Sequence, residues 1–144
     1  MEQALYQATI LTFEELGFMF PMPDDEISGL DPKTSSAISI DFDGEFEGQM
    51  VLQVESQMLP TIAENMLGEE TALDEEIQRD ALGEIANVIC GNALPMIAGK
   101  KAVFKLRAPE FVEEFKKTAE PKAAARFSLD EGRAEVLLYV KGEQ

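Results

Sequence analysis

Hydrophobic and polar positions along the first third of the chain change from helical to alternating periodicity. Residues 2–16 carry apolar side chains at mixed three- and four-residue spacing and are followed by Gly17, which predicts an amino-terminal helix. Residues 36–43 alternate between small or polar and large apolar side chains, which is the pattern of a half-buried strand. An Asp-Gly pair ending at Gly44 predicts a tight turn into a return strand over residues 46–54.

Two further helices are predicted in the middle of the chain. The first covers residues 56–67 and closes at Gly68. The second is longer and begins after Asp74, a good N-cap that is followed by acidic residues in the first turn, where the helix dipole favours them. We expect this long helix to run to about Leu94, where Pro95 kinks or ends it, with Gly99 as the latest stop.

The last third of the chain predicts strands. Residues 102–107 read as one strand, residues 110–122 are polar and have no clear pattern, and residues 125–129 and 134–140 form a hairpin. The order of elements predicts an α/β (α+β) sandwich with a mostly antiparallel sheet and helices on one face. It leaves the last strand as a candidate open edge for pairing with another subunit.

Composition and charge narrow the class of partner. The chain has 144 residues, 45% of them hydrophobic, which predicts a single domain over residues 1–144 with an ordinary core. The formal net charge is −16 and there is no histidine. Such a field repels phosphates, so it disfavours nucleic acids and anionic membranes as partners. A protein with a basic or metal-bearing face is the expected partner.

Cysteine and histidine usage exclude several chemistries. The single cysteine, Cys90, cannot form an intrachain disulfide and lies on the apolar side of the long helix, where we expect it to be buried filler. The absence of histidine removes Ser-His-Asp and Cys-His catalysis and histidine-ligated zinc. The sequence has neither the basic region of a secretory signal at its start nor an apolar run near the roughly 20 residues of a membrane span. These features predict a cytoplasmic protein.

One polar ridge stands out on the long helix, formed by Asp80, Glu84 and Asn87. At about 100° per residue, these positions fall within roughly 60° of one another. Gly91 joins the same stripe and Gly83 lies beside it; each glycine costs roughly 1 kcal/mol relative to alanine inside a helix. We expect both glycines to let a partner surface approach the backbone. The alternative is an ordinary solvated face of an amphipathic helix.

The segment that carries the ridge, residues 80–93, resembles the chemotaxis phosphatases of the CheC, CheX and FliY group. Their signature is Asp or Ser, three residues, Glu, two residues, Asn, and a proline some twenty residues later. Here Pro109 follows Asn87 after 21 intervening residues. The element order is also similar to that of CheX, and the single copy of the motif favours CheX over CheC, whose members usually carry two. The resemblance implies a CheC-like fold over nearly the whole chain.

The resemblance also implies a function, the dephosphorylation of a phosphorylated CheY-like response regulator. It implies that Asn87 holds the attacking water and that Glu84 pairs with the lysine at the regulator's phosphate site, while Asp80 extends the contact or orients neighbouring groups. The protein would need no cofactor of its own, because the regulator supplies Mg²⁺ and the phosphoaspartate. Members of the CheX type are homodimers, so a homodimer is expected.

Two alternatives stay open from the sequence. The first is a binding module of the same fold without catalysis, as in flagellar switch components, which would bind a response regulator or a switch protein. The second is a metal site built from the carboxylates of Asp74, Glu76, Asp80 and Glu84. Acids in a first helical turn are ordinarily explained by the helix dipole, which disfavours the metal site.

Overall fold

A computed structural model of the chain describes residues 1–24, 29–68 and 74–141, and the described part contains three α-helices and a seven-stranded sheet. The helices are α1 (Glu2–Gly17), α2 (Leu59–Leu67), which follows a short 3₁₀ turn at Ser56–Met58, and α3 (Glu75–Ala98). The strands are β1 (Met22–Pro23), β2 (Ser35–Asp43), β3 (Gly48–Glu55), β4 (Lys105–Leu106), β5 (Glu110–Val112), β6 (Ala123–Leu129) and β7 (Gly132–Val140). The predicted α/β class is confirmed.

The strands form one sheet in the order β1-β6-β7-β3-β2-β4, with β5 also paired to β2. Every pairing between the described strands is antiparallel. The two predicted hairpins are present: β2 pairs with β3, and β6 pairs with β7. The expectation of a mostly antiparallel sheet is therefore confirmed.

The position of β7 corrects one prediction. The last strand is not an open edge, because it lies between β6 and β3 and pairs with both. Val136, for example, is opposite Ala125 on one side and Leu52 on the other. The β6–β7 hairpin is visible from local periodicity, but the β3–β7 pairing joins strands that are far apart in sequence, which periodicity does not report. In the described part of the chain, the sheet edges are β1 on one side and β4 with β5 on the other.

The main hydrophobic core lies between the helices and one face of the sheet, as predicted. Because side chains alternate along a strand, Ile38, Leu52 and Val136 point into this core, while Ala37 and Val51 point to the opposite face. A smaller cluster covers that second face, formed by Ala37, Val51 and Leu137 with the partly buried Val112, Phe115, Ala124 and Tyr139. We call this second face of the sheet, with its cluster, the far face. All three helices contribute buried residues to the main core.

The core is crossed by α3, the helix that carries the polar ridge. Its N-cap is Asp74, as predicted, whose Oδ1 accepts hydrogen bonds from the backbone N–H groups of Glu76 (3.0 Å) and Ile77 (3.2 Å). The helix runs past its expected end near Leu94. It continues through Pro95 to Ala98, and the Gly99 N–H donates to the Pro95 carbonyl (2.8 Å). Contacts of Leu94 and Ile97 with the main core, on either side of Pro95, offset the hydrogen bond that proline cannot donate.

Two glycines hold the β2–β3 hairpin against its neighbours. Gly44 has a φ of 153°, and a Cβ there would collide with the Val103 carbonyl oxygen. A Cβ on Gly48 would collide with the Tyr139 carbonyl oxygen of β7. The strand that follows Val103 is shorter than the predicted 102–107, since only Lys105–Leu106 pair with β2.

The unassigned segment 110–122 contributes a short strand and the covering of the far face. Its first residues form β5, which pairs with β2 and places Phe111 opposite Ile38. Phe115 packs on the far-face cluster. Glu110, Phe111 and Val112 form a strand because β2 offers a free edge on which to pair.

By length and composition, α3 is the one helix in the described residues that could span a membrane. Half of its apolar window is buried inside the fold, and Asp80 and Glu84 are exposed on its other side. The buried half of the window is thus already used in the core of the domain.

Candidate functional site on helix α3

The ridge lies on the accessible side of α3. Asp80 and Glu84 are exposed and Asn87 is half-buried. The opposite side of the helix is buried against the sheet and the other helices through Ala81, Leu82, Ile85, Ala86, Ile89, Cys90, Ala93 and Leu94. The core therefore fixes the rotation of α3, and that rotation presents the ridge outward.

The ridge side chains have no partners within the described part of the chain. None of the side-chain hydrogen bonds and ion pairs there involves Asp80, Glu84 or Asn87. By contrast, the side chain of Asp74, in the same acidic stretch, accepts hydrogen bonds as the N-cap of α3. Two carboxylates and one carboxamide are thus left available to groups outside the chain.

Helix geometry sets the spacing of the ridge. At a rise of 1.5 Å per residue, Asp80 and Glu84 are about 6 Å apart along the axis, and Glu84 and Asn87 about 4.5 Å. The amide of Asn87 offers two N–H donors and one carbonyl acceptor, while the carboxylates only accept. Such a row can pair with a cation at Glu84 and orient a water molecule beside it at Asn87.

The two glycines beside the ridge have different surroundings. Gly83 is buried, and a Cβ there would lie 3.4 Å from Cβ of Pro109, so the surface that approaches it within the chain is Pro109 itself. Gly91 is exposed, and a Cβ there would have no neighbour within 4 Å. Approach of a partner to either glycine stays a prediction.

Next to the ridge lies a recess that sequence periodicity does not predict. It has a volume of about 350 Å³ and is lined by Ile38, Arg79, Asp80, Gly83, Glu84, Pro109 and Phe111. The guanidinium carbon of Arg79 lies 4.1 Å from the centre of the Phe111 ring. One signal was available, since Arg79 is the only lysine or arginine in α3. Its neighbour Phe111 could not be assigned, because segment 110–122 had no clear pattern.

The described residues give no support for cysteine catalysis or for a metal site on α3. Cys90 is fully buried, and burial raises the pKa of its thiol to about 12, so it stays protonated and is a poor nucleophile. This confirms its expected role as buried filler. In the part of the chain that the structure describes, no three carboxylates or thiols are grouped closely enough to hold a metal ion. The alternative of a carboxylate metal site therefore gains nothing from the fold.

Comparison with known families identifies the chain. The sequence pattern of the chemotaxis phosphatase CheX family matches residues 36–130, which include the ridge and Pro109. The chain belongs to the CheX family. The resemblance inferred from the ridge residues is thereby confirmed, and no curated protein sequence matches the chain.

Solved structures show the same fold. CheX from Desulfovibrio desulfuricans superposes with a TM-score of 0.77 at 18% identity, covering 96% of this chain and 97% of that one. A CheX–CheY–BeF₃–Mg²⁺ complex from Borrelia burgdorferi gives a TM-score of 0.70 at 21% identity, with 96% of each chain covered. FliY from Thermotoga maritima gives 0.63 at 16% identity, covering 96% of this chain and 84% of that one. The CheC-like fold is confirmed.

Proposed function

We propose that the chain is a phosphatase that hydrolyses the aspartyl phosphate of a CheY-like response regulator, with the ridge of α3 docked against the phosphorylation site. The observation that carries the proposal is the outward-facing, unpartnered set of Asp80, Glu84 and Asn87 on a helix whose other side is locked in the core. Membership of the CheX family and the similarity to a chain solved with CheY support the substrate class.

We assign Asn87 the role of holding the attacking water molecule. Hydrolysis of a phosphoryl group needs in-line attack, and the enzyme contributes mainly positioning and charge organisation. A carboxamide is neutral, so it can approach the phosphoryl oxygens without charge repulsion and hold a water molecule by hydrogen bonds. It does not act as a base.

We assign Glu84 the role of forming an ion pair with the lysine at the regulator's phosphate site. A carboxylate close to a phosphoryl group would be repelled unless a cation lies between them, and that lysine supplies the cation. With Glu84 about one turn from Asn87, the ion pair fixes the register in which the amide enters the site. Asp80, a further turn away, extends the docking contact or orients its neighbours.

The chain needs no cofactor of its own for this reaction. The regulator would supply both the phosphoaspartate and the Mg²⁺ that neutralises it. We further propose a cytoplasmic homodimer, whose contacts would have to use a surface other than the two sides of β7. Light scattering during size-exclusion chromatography measures the oligomeric state.

The substitution Asn87→Ala tests the assignment of catalysis. A CheY-type receiver from the same genome is phosphorylated with a small-molecule phosphodonor in Mg²⁺, and phosphate release is followed above the receiver's own rate. We expect kcat to fall about 100-fold while KM changes less than about twofold, because positioning is lost and the rest of the ridge still docks. Asn92→Ala is the matched control, since Asn92 lies about 140° from Asn87 around the same helix.

Two outcomes would contradict the proposal. If Asn87→Ala lowered affinity and rate equally, Asn87 would be a docking contact only. If the unmodified protein bound phosphorylated receivers without releasing phosphate, the alternative of a non-catalytic binding module for a response regulator or flagellar switch would replace it.

A further inference from the structure

Arg79 is the only positively charged residue of α3. The fold restrains its side chain but does not pair it with a carboxylate in the described part of the chain. Its guanidinium lies over the ring of Phe111, with the carbon 4.1 Å from the ring centre. Glu75, four residues earlier, is the ordinary helical partner for an arginine. Yet none of the ion pairs and side-chain hydrogen bonds in the described part of the chain includes Arg79. Its N–H donors are therefore available to a group from outside.

The aromatic contact restrains the arginine. A cation over a ring face is attracted by the negative face of the ring, which limits the directions in which the long side chain can point. The ring itself is fixed, because Phe111 is opposite Ile38 in the β2–β5 pairing and packs on the main core. The guanidinium is thus held on rigid elements at the wall of the recess that also contains Asp80 and Glu84.

The spacing along α3 separates Arg79 from the proposed chemistry. Arg79 is five residues from Glu84, about 7.5 Å along the axis and about 140° around it, and eight residues from Asn87, about 12 Å along the axis. At that distance Arg79 cannot share a phosphoryl group with Asn87. It lies instead at the wall of the recess that Glu84 also lines.

The charge order on α3 defines the complementary surface. The helix presents a cation at Arg79 and then carboxylates at Asp80 and Glu84. A partner that offers a lysine to Glu84 complements this order fully only if it also presents an acid to Arg79, which lines the same recess. Guanidinium and carboxylate pair bidentately, which gives both strength and a defined geometry.

We propose that the recess between α3 and the Pro109–Phe111 segment binds an aspartate or glutamate side chain of the receiver domain, and that Arg79 thereby selects which receivers dock. The inference rests on the proposed function, because it takes the receiver as partner and Glu84 as the contact to its lysine. A receiver with a neutral residue at that point loses the pair, and one with a basic residue is repelled by Arg79. Arg79 is a specificity residue and takes no part in the chemistry.

The test compares four substitutions on the same phosphorylated receiver. Arg79→Ala is expected to raise KM about tenfold with kcat changed less than about twofold, and Arg79→Glu to raise KM about 100-fold, because it adds repulsion. Arg79→Lys keeps the charge but not the planar donors, so we expect a rise of about threefold. Phe111→Leu keeps an apolar side chain on the core and releases the guanidinium, with a rise of about threefold.

Binding is measured separately from turnover. The dissociation constant for the same receiver, activated with beryllofluoride and Mg²⁺, should follow the order of the KM values. Lys116→Ala is the charge-matched control, because Lys116 is exposed and follows Phe115, which packs on the far face. It should leave KM and the dissociation constant unchanged, and circular dichroism verifies that each variant is folded.

The outcomes distinguish this inference from the proposed function. Unchanged binding and KM in Arg79→Ala and Arg79→Glu would overturn the role of Arg79, even if Asn87→Ala abolishes turnover. An equal effect of Lys116→Ala would also overturn it, since net charge alone would then explain the loss. If Asn87→Ala keeps full turnover, the assigned mechanism fails, while weaker binding by the Arg79 variants would still support the recess.

Discussion

Carboxylates occupy two contrasting places in this protein, the far face of the sheet and the ridge of α3. On the far face, Glu135 of β7 is completely buried. Arg126 Nε donates to its Oε2 at 2.6 Å, and the Lys117 ammonium lies 3.3 Å from Oε1. On the ridge, Glu84 is exposed and has no partner in the described residues.

The difference separates a structural charge from an available one. A buried carboxylate must be paired, since desolvation of an unpaired charge costs several kcal/mol, and here the pair ties β6 and the segment after β5 to β7. An exposed carboxylate stays hydrated and costs little, so it can remain unpaired until a partner arrives. Substitutions at the two places should therefore affect different measurements.

The largest effect on stability is expected on the far face. Arg126→Ala leaves the buried Glu135 with Lys117 alone and should lower the free energy of unfolding by about 3 kcal/mol, measured by urea denaturation. Arg133→Ala is the matched control. It removes the exposed ion pair between Arg133 of β7 and Glu55, which are 3.3 Å apart, and should lower the free energy of unfolding by less than about 1 kcal/mol. Equal costs for the two variants would mean that Glu135 is reached by water.

At the ridge we expect a smaller effect, which changes the binding of the receiver and leaves the stability of the fold almost unchanged. Glu84→Ala should raise KM for the phosphorylated receiver about tenfold, because the ion pair with the receiver's lysine is lost. The free energy of unfolding should change by less than about 0.5 kcal/mol. Glu64→Ala, an exposed acid on α2, is the charge-matched control. Unchanged affinity in Glu84→Ala would remove the assigned role of Glu84.

The smallest effect is expected at Gly91, where stability and affinity should move in opposite directions. Gly91→Ala should raise the free energy of unfolding by about 0.5–1 kcal/mol, since an added Cβ meets nothing within 4 Å. The same methyl group should raise KM a fewfold if a partner approaches the helix there. Gly83→Ala is the comparison, because Pro109 already covers that position. A stabilised Gly91→Ala variant with unchanged KM would exclude Gly91 from the docking surface.

Much of the fold could be predicted from local patterns. The first helix, the two hairpins and the Asp74 cap depend on residues close in sequence, and these predictions are confirmed. The predicted edge position of β7 was wrong, because the strand order depends on the pairing of β7 with β3. The end of α3 was also missed, because packing carried the helix past Pro95.

For the candidate site, periodicity found the ridge and missed the recess. Asp80, Glu84 and Asn87 share one helix, so their common direction follows from a constant turn per residue. Arg79 and Phe111 come from different elements, and only the pairing of β5 with β2 brings the ring under the guanidinium. A contact between elements leaves no periodic trace in the sequence.

Local sequence patterns are enough to predict the helices, the hairpins and the row of polar side chains on α3, because each depends on backbone geometry over a few residues. Three further features follow from the packed fold: one side of α3 faces solvent, Pro109 covers Gly83, and Glu135 is paired with cations while Glu84 is not. These features depend on burial and on distances between segments far apart in the chain, and both are set only when the core packs.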